Sequence, residues 1–453
     1  MTRRLCIAVL LDSRVRDSVI PAILHNRFRA VAHSPGVDLA TVLKYALVGQ
    51  KRQTVRDAAL AVPIALFVGI LFSRAYHLLP APILLTWLVV FLEMYGACQM
   101  IVFPHLTRDF YDPAEAPLPN SPEMRERLTD IADRDTGNIT VFAGYSPFIG
   151  YGATISSWSF TMNVARAEEG EQVVPFTAGD LHDRVAAGLR DLGLPGLTVE
   201  DRLFVNGLDL RHDGEPDLRS VLLPEALAPP VSRVSERFLR DLRDDPLTRA
   251  RPYLTATVTG WEGDMVISIF LRFALLAEKG LLFVEASCSL LPPLRDGYHA
   301  IDRLFNCSAT EQLARIAVSA AGRAVGAPFL ALPHARKALF APRDRGRKHD
   351  VEGGTYNYGA AYSLREHAAD TRYHRYFQRL DKEMYVKAAE QRVMNTLTDF
   401  LVEHHVDVSD LREHRTTILN NGIFVTGRGQ VHSQSVAAGA GAVARAERGG
   451  DRL

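Results

Sequence analysis

The chain reads as a membrane-anchored α+β protein: a two-helix transmembrane hairpin joined to a mixed α+β cytoplasmic region with an antiparallel β-meander and a long C-terminal helix. Two nearly uncharged stretches between residues 58 and 103 carry the first part of that reading, being long enough at about 1.5 Å per residue to cross a hydrocarbon core of about 30 Å. Alternating β-branched and aromatic runs within 136–300, followed by a long amphipathic run ending at Glu403, carry the second.

At 453 residues the chain exceeds what one core usually organises, so several folding units are expected. Lys plus Arg and Asp plus Glu both number 52, which leaves no net field to draw the protein to nucleic acid, and none is expected as a partner. Cys6, Cys98, Cys288 and Cys307 are far apart and form no Cys-x-x-Cys pair, so neither a disulfide framework nor a structural metal is expected. No cofactor motif is present. Met1 to Arg4 followed by Leu5 to Leu11 mimics a secretory signal, but Asp12, Arg14 and Arg16 follow without a small-residue cleavage site, and an uncleaved N-terminus is predicted.

Residues 1–57 form a helical cytoplasmic segment in this reading, with helices over 17–30 and 38–47 broken at Ser34-Pro35-Gly36. The hairpin occupies 58–104, with crossings at 58–79 and 83–103 and a turn at Pro80-Ala81-Pro82, where two prolines remove backbone donors. Lys44, Lys51, Arg52 and Arg56 before it and Arg108 after it outnumber Arg74 and His77 at the turn, which places both termini in the cytoplasm. Glu93 sits at the middle of the second crossing, level with Val68 and Gly69 and with no basic residue at its depth. An intramembrane carboxylate there marks helix association or an ion path, so Glu93 is the functional candidate in the bilayer.

Residues 105–135 read as a proline-rich linker and a helix, and 136–300 as an α+β soluble domain. That domain opens with strands at 138–142 and 154–164 around the glycine-rich run Gly144-Tyr-Ser-Pro-Phe-Ile-Gly-Tyr-Gly152. The run lacks the Gly-Lys-Ser/Thr ending of a phosphate-binding loop, and Ser146 lacks the Gly-x-Ser-x-Gly setting of a nucleophile, so a structural loop is expected. Read as crossings, the apolar runs 253–260, 264–275 and 281–290 would carry Arg272, Glu285 and the intervening Glu278 and Lys279 into the hydrocarbon, and those charges argue for sheet.

A mainly helical region follows over 301–426, and a Gly/Ala-rich flexible tail over 427–453. The basic residues Arg336, Lys337, Arg343, Arg345, Arg347 and Lys348 are candidates for contact with a membrane surface. His404, His405, Asp407 and His414 cluster in sequence, but their spacing fits no standard metal site.

The functional expectation is a membrane-tethered cytoplasmic binding or regulatory protein, multi-pass in the cell membrane of a bacterium. Its expected partners are the lipid bilayer, a second copy through the transmembrane helices, and a cytoplasmic protein. Two alternatives stay open: a membrane-associated enzyme whose site forms only by tertiary convergence, and an oligomeric channel or transporter subunit using Glu93.

Overall fold

A computed structural model describes residues 1–211, 216–300, 302, 305, 307–339, 345–370 and 375–411. It is a mixed α+β structure built on one six-stranded sheet. The strands are β1 (Ile139–Phe142), β2 (Ala153–Asn163), β3 (Leu197–Asn206), β4 (Arg251–Gly260), β5 (Met265–Leu276) and β6 (Leu281–Leu291). They lie in the order β1-β3-β4-β5-β6-β2, with β1 parallel to β3 and every other neighbouring pair antiparallel. The two strands that flank the glycine-rich run therefore do not pair with each other. They occupy opposite edges of the sheet, and the run between them must cross a whole face.

Side chains alternate between faces along a strand. One face of the central strands carries Ile267, Ile269 and Leu271 of β5 with Leu282, Val284 and Ala286 of β6. It is covered by a helix at Ala178–Arg190 through Leu181, Val185 and Leu189, and by a helix at Tyr376–Glu403 through Val386, Val393 and Leu397. The Ala178–Arg190 helix starts on a capping box, in which Thr177 and Asp180 each satisfy the other's backbone amide. The opposite face carries Phe204, Tyr253 and Phe270, with Arg272 directly opposite Glu285 in the β5/β6 register.

A second core forms from the N-terminal helices α1 (Thr2–Leu11), α2 (Ser13–Val19) and α3 (Leu39–Ala59) with the Pro122–Asp135 helix. Leu294, Leu364 and Ala368 join it, which ties this helical unit to the sheet. Arg16 is buried here: its Nη1 donates to the carbonyls of Val9 and Leu10 at 2.7 and 3.0 Å, and its Nε donates to Gln53 Oε1 at 3.1 Å. Burial pulls its guanidinium down to about 10, against the attraction of Asp17. A Cβ at Gly49 would stand 2.8 Å from Arg16 Nη1 and 3.0 Å from Val9 O, so a larger residue there would press on Arg16 and on the α1 backbone.

The apolar hairpin continues from α3 into α4 (Ala61–Ser73) and returns as α5 (Pro80–Ala97). The interruption at Leu60 has a local cause, because Pro63 has no N–H to give the Ala59 carbonyl. The turn is not at Pro80–Pro82 as the sequence reading placed it. Arg74 ends α4 in the left-handed region at φ 56°, a short 3₁₀ turn follows at Tyr76–Leu78, and the prolines lie in the first turn of α5. First-turn N–H groups have no helical partner, so proline costs nothing there and its fixed φ favours the helix. Two helical stretches, Leu39–Ser73 and Tyr76–His105, are long and apolar enough to cross a membrane, and only 17% and 22% of their apolar windows are buried. A further helix at Ala309–Leu339 lies against α5, where Ile316, Ala320 and Ala327 meet Val90, Met94 and Cys98. Trp87 donates its Nε1–H to the Ala317 carbonyl at 3.2 Å and stacks on Phe91, so it is a packing residue between helices.

At the sheet edge of the Ala178–Arg190 helix, His182 and Arg243 both hydrogen-bond Asp201, and Arg243 also reaches Asp183 at 3.0 Å. Burial pushes the Asp201 carboxyl up, but the hydrogen bond from His182 and the charges of His182 and Arg243 outweigh it and hold the group below its ordinary value. A depressed carboxyl stabilises the fold at neutral pH, and that stability is lost as pH falls through the folded value. Asp201→Asn is expected to cost about 1–3 kcal/mol at neutral pH. Its deficit against wild type should shrink as pH drops below about 4, which urea denaturation at several pH values measures.

Candidate functional site

The glycine-rich run, residues 143–152, crosses the second sheet face by placing aromatic rings on it. Phe148 stacks on Phe270 with centroids 4.0 Å apart, and Tyr151 meets Phe270 edge-on at 5.0 Å. Arg202 lies over the Tyr151 ring at 5.8 Å. Gly150 and Gly152 have φ of +96° and +87°, and a Cβ on either would sit 2.1 Å from a backbone oxygen, that of His33 or Leu290. Both positions therefore require glycine.

Their amides converge on one acceptor. Gly150 N and Gly152 N donate to Glu366 Oε1 at 2.8 and 2.9 Å. The two donors that an incoming phosphate would need are already given to a carboxylate of the chain itself. Glu366 belongs to a short helix, Leu364–Ala368, capped by the Ser363 hydroxyl. Its neighbour Arg365 is fully buried and donates from Nη2 to the carbonyls of Asp264 and Pro292 at 2.9 and 2.8 Å. Burial brings the Arg365 guanidinium down to about 10, with Asp264 opposing. The backbone around this helix is zipped to the sheet at both ends. Ala360 bridges Phe142 at the end of β1, and Ala369 bridges Leu294 after β6.

Between this strap and the glycine-rich run lies a cavity of about 780 Å³, within the ordinary size of a small-molecule site. The run, the first residues of β2, the end of β6 and the strap form its walls, which are apolar apart from Ser146 and Glu366. Glu366 is the one charged residue among them. Tyr145 stands fully exposed in the run between the lining residues Gly144 and Ser146.

A family model described as AbeC-like domain matches residues 157–433, more than half of the chain. The chain belongs to the AbeC-like family. No curated protein and no solved structure matches it. The AbeC-like match contains β3 to β6, most of β2 and the strap with Glu366. The glycine-rich run and the hairpin precede it, so the cavity is closed by a segment outside the matched region.

The residues singled out in the sequence lie elsewhere. Glu93 does have a basic neighbour: Arg52 donates from Nη2 to the Glu93 carbonyl at 2.7 Å, and its Nε lies 3.4 Å from Glu93 Oε1. The expectation of no basic residue at its level fails because the turn is at Arg74, which brings Glu93 of α5 beside Arg52 of α3 and not level with Val68 and Gly69. Gly96 leaves the room Arg52 occupies, with its Nη2 at 3.2 Å from where a Cβ would be. Of the basic run, Arg336, Lys337, Arg343 and Arg345 lie outside the residues whose side chains are described. Arg347 donates to the His25 carbonyl at 2.5 Å, and Lys348 is exposed.

His404 is bonded to Phe400 O at 2.7 Å, and Asp407 pairs with Arg166 at 2.9 Å, while His414 lies outside the described residues. Among the described residues no three His, Cys, Asp or Glu side chains converge. Ser146 was legible as a position in the run. Glu366 was not, since nothing in its own sequence neighbourhood distinguishes it and its partners are more than 200 residues away.

Gly152→Ala forces the run off the sheet, so a loss of about 1–3 kcal/mol is expected in chemical denaturation, together with faster proteolysis at the exposed Tyr145.

Proposed function

We propose that this AbeC-like chain is a membrane-tethered binding protein: the hairpin holds the α+β region at the cytoplasmic face of the cell membrane, and the cavity beside Glu366 receives a small ligand. The observation that carries the reading is the uncovered apolar surface of the hairpin. Phe72 is 87% exposed, Ile83 and Leu84 are each 64% exposed, and Val62 and Leu92 are exposed on the same two helices. Apolar surface of this extent is unfavourable in water by about 25 cal/mol per Å² and is favourable in hydrocarbon.

The charges support the same placement. Between Arg52 and Ser73 the helix rises roughly 30 Å at about 1.5 Å per residue, the thickness of a hydrocarbon core. The Arg52–Glu93 pair then sits at the inner boundary, beside the Arg56–Asp57 pair at 2.6 Å, and Arg74 and His77 sit at the outer one. An ion pair at the boundary favours a structural role for Glu93, fixing the register of the two helices, over an ion path. The excess of basic residues on the Arg52 side supports cytoplasmic termini.

Flotation of the purified full chain with liposomes tests the tether. The protein is expected to rise with the vesicles and to stay with them through high salt and alkaline carbonate; release by either treatment would overturn insertion. Val62→Lys together with Leu84→Lys, each costing about 2.5–3.5 kcal/mol at mid-bilayer, should reduce the floated fraction sharply.

A further inference from the structure

The cavity beside Glu366 has a chemical signature that narrows its occupant, and this inference deepens the binding function proposed above. Its walls are apolar from four separate directions, so an occupant must present mostly hydrocarbon surface. Polar side chains are limited to one hydroxyl, Ser146, and one carboxylate, Glu366. No basic side chain lines the space. A ligand carboxylate or phosphate would therefore face a carboxylate with no cation to offset it, an arrangement that costs affinity.

Glu366 is also poised in a particular way. Oε1 is used twice, by Gly150 N and Gly152 N, which fixes the carboxylate plane against the glycine-rich run. Oε2 receives no donor from the described residues. The group is thus rigid, partly exposed at the cavity and left with acceptor capacity on one oxygen. What complements such an oxygen in an apolar pocket is a charged N–H donor, because a charge-assisted bond is roughly twice as strong as a neutral one. We infer that the cavity binds an apolar molecule carrying a protonated amine, with hydrocarbon against the Phe148, Ile149, Leu290 and Leu291 walls and the ammonium on Glu366 Oε2.

The arrangement also links occupancy to the run. The carboxylate that receives the ligand is the one that holds Gly150 and Gly152, so a bound ammonium and the two amides share one anchor. Phe148 both lines the cavity and stacks on Phe270, so the same residue closes the pocket and covers the sheet.

Three compounds of one shape and different charge separate these contributions: 1-adamantylamine, 1-adamantanol and 1-adamantanecarboxylate, titrated calorimetrically into the full chain in lipid nanodiscs with empty discs subtracted. The amine is expected to bind about 10-fold or more tighter than the alcohol, and the carboxylate weakest. Glu366→Gln keeps an oxygen for Gly150 N and Gly152 N but replaces the free carboxylate oxygen with an amide, so it should bring the amine to the level of the alcohol. Ala361→Trp, at an exposed lining position, should weaken all three by filling the space. Equal binding of amine and alcohol, an amine affinity unchanged in Glu366→Gln, or no binding of any compound would each overturn the inference. Flotation keeps the two proposals separate: a chain that floats and ignores the amine retains the tether and loses this ligand, whereas one that binds the amine without floating does the reverse.

Discussion

Strand β5 is buried along nearly its whole length on both faces, and the architecture of the α+β region follows from having to cover both. Helices solve one side by an ordinary apolar stripe, with Val386, Val393 and Leu397 packed on Ile267, Ile269 and Leu271. The other side bears Phe270 flanked by Phe204 and Tyr253, and among the described residues no helix contributes to that aromatic cluster. A loop does, by laying Phe148 and Tyr151 on those rings. Loops rarely make good covers because their backbone amides need partners. Here the two amides are met by Glu366, at glycines whose positive φ no other residue would adopt at low cost. The cavity lies where the covering loop and the strap stand apart between two joints, Ala143 N donating to the Ala360 carbonyl at 3.0 Å and Glu366 accepting from Gly150 and Gly152.

The hairpin obeys a second constraint. Its helices carry almost no polar residues with which to fix their register, and dispersion between apolar side chains is poorly directional. Arg52, lying across α5 at Gly96 and bonding the Glu93 carbonyl, supplies the missing direction at one end. The left-handed Arg74 ends α4 at the other. Between those points the surface is free to be uniformly apolar.

The α+β character and the presence of two long apolar helices were legible in the sequence, because hydrophobic periodicity and length are local properties. The position of the turn was not. Pro80-Ala81-Pro82 reads as a breaker in isolation, yet proline in a first helical turn is a starter, and only the left-handed residue at Arg74 decides which role it plays. That shift of a few residues put Glu93 beside Arg52 of α3 and not level with Val68 and Gly69. β1 and β2 were visible as strands, but their separation to opposite edges depends on pairings with β3 and β6 far along the chain. The site was the least legible part. The glycines signalled a constrained backbone, whereas Glu366 gains its meaning only from Gly150 and Gly152, and a solitary glutamate after an arginine gives no local sign of that.

Single-cysteine labelling in intact cells, on a cysteine-free background, tests most directly whether the apolar hairpin is what holds the α+β region at the membrane. Probes at Ala75 in the turn, at Pro117 in the linker and at Ser409 beyond the Tyr376–Glu403 helix would be offered a membrane-impermeant maleimide. Labelling from outside at residue 75 alone is the expected result, with the other two reacting only after lysis. Labelling at 117 and 409 in intact cells would place the α+β region on the other side, and indifference of all three to lysis would contradict the hairpin as a membrane-spanning element.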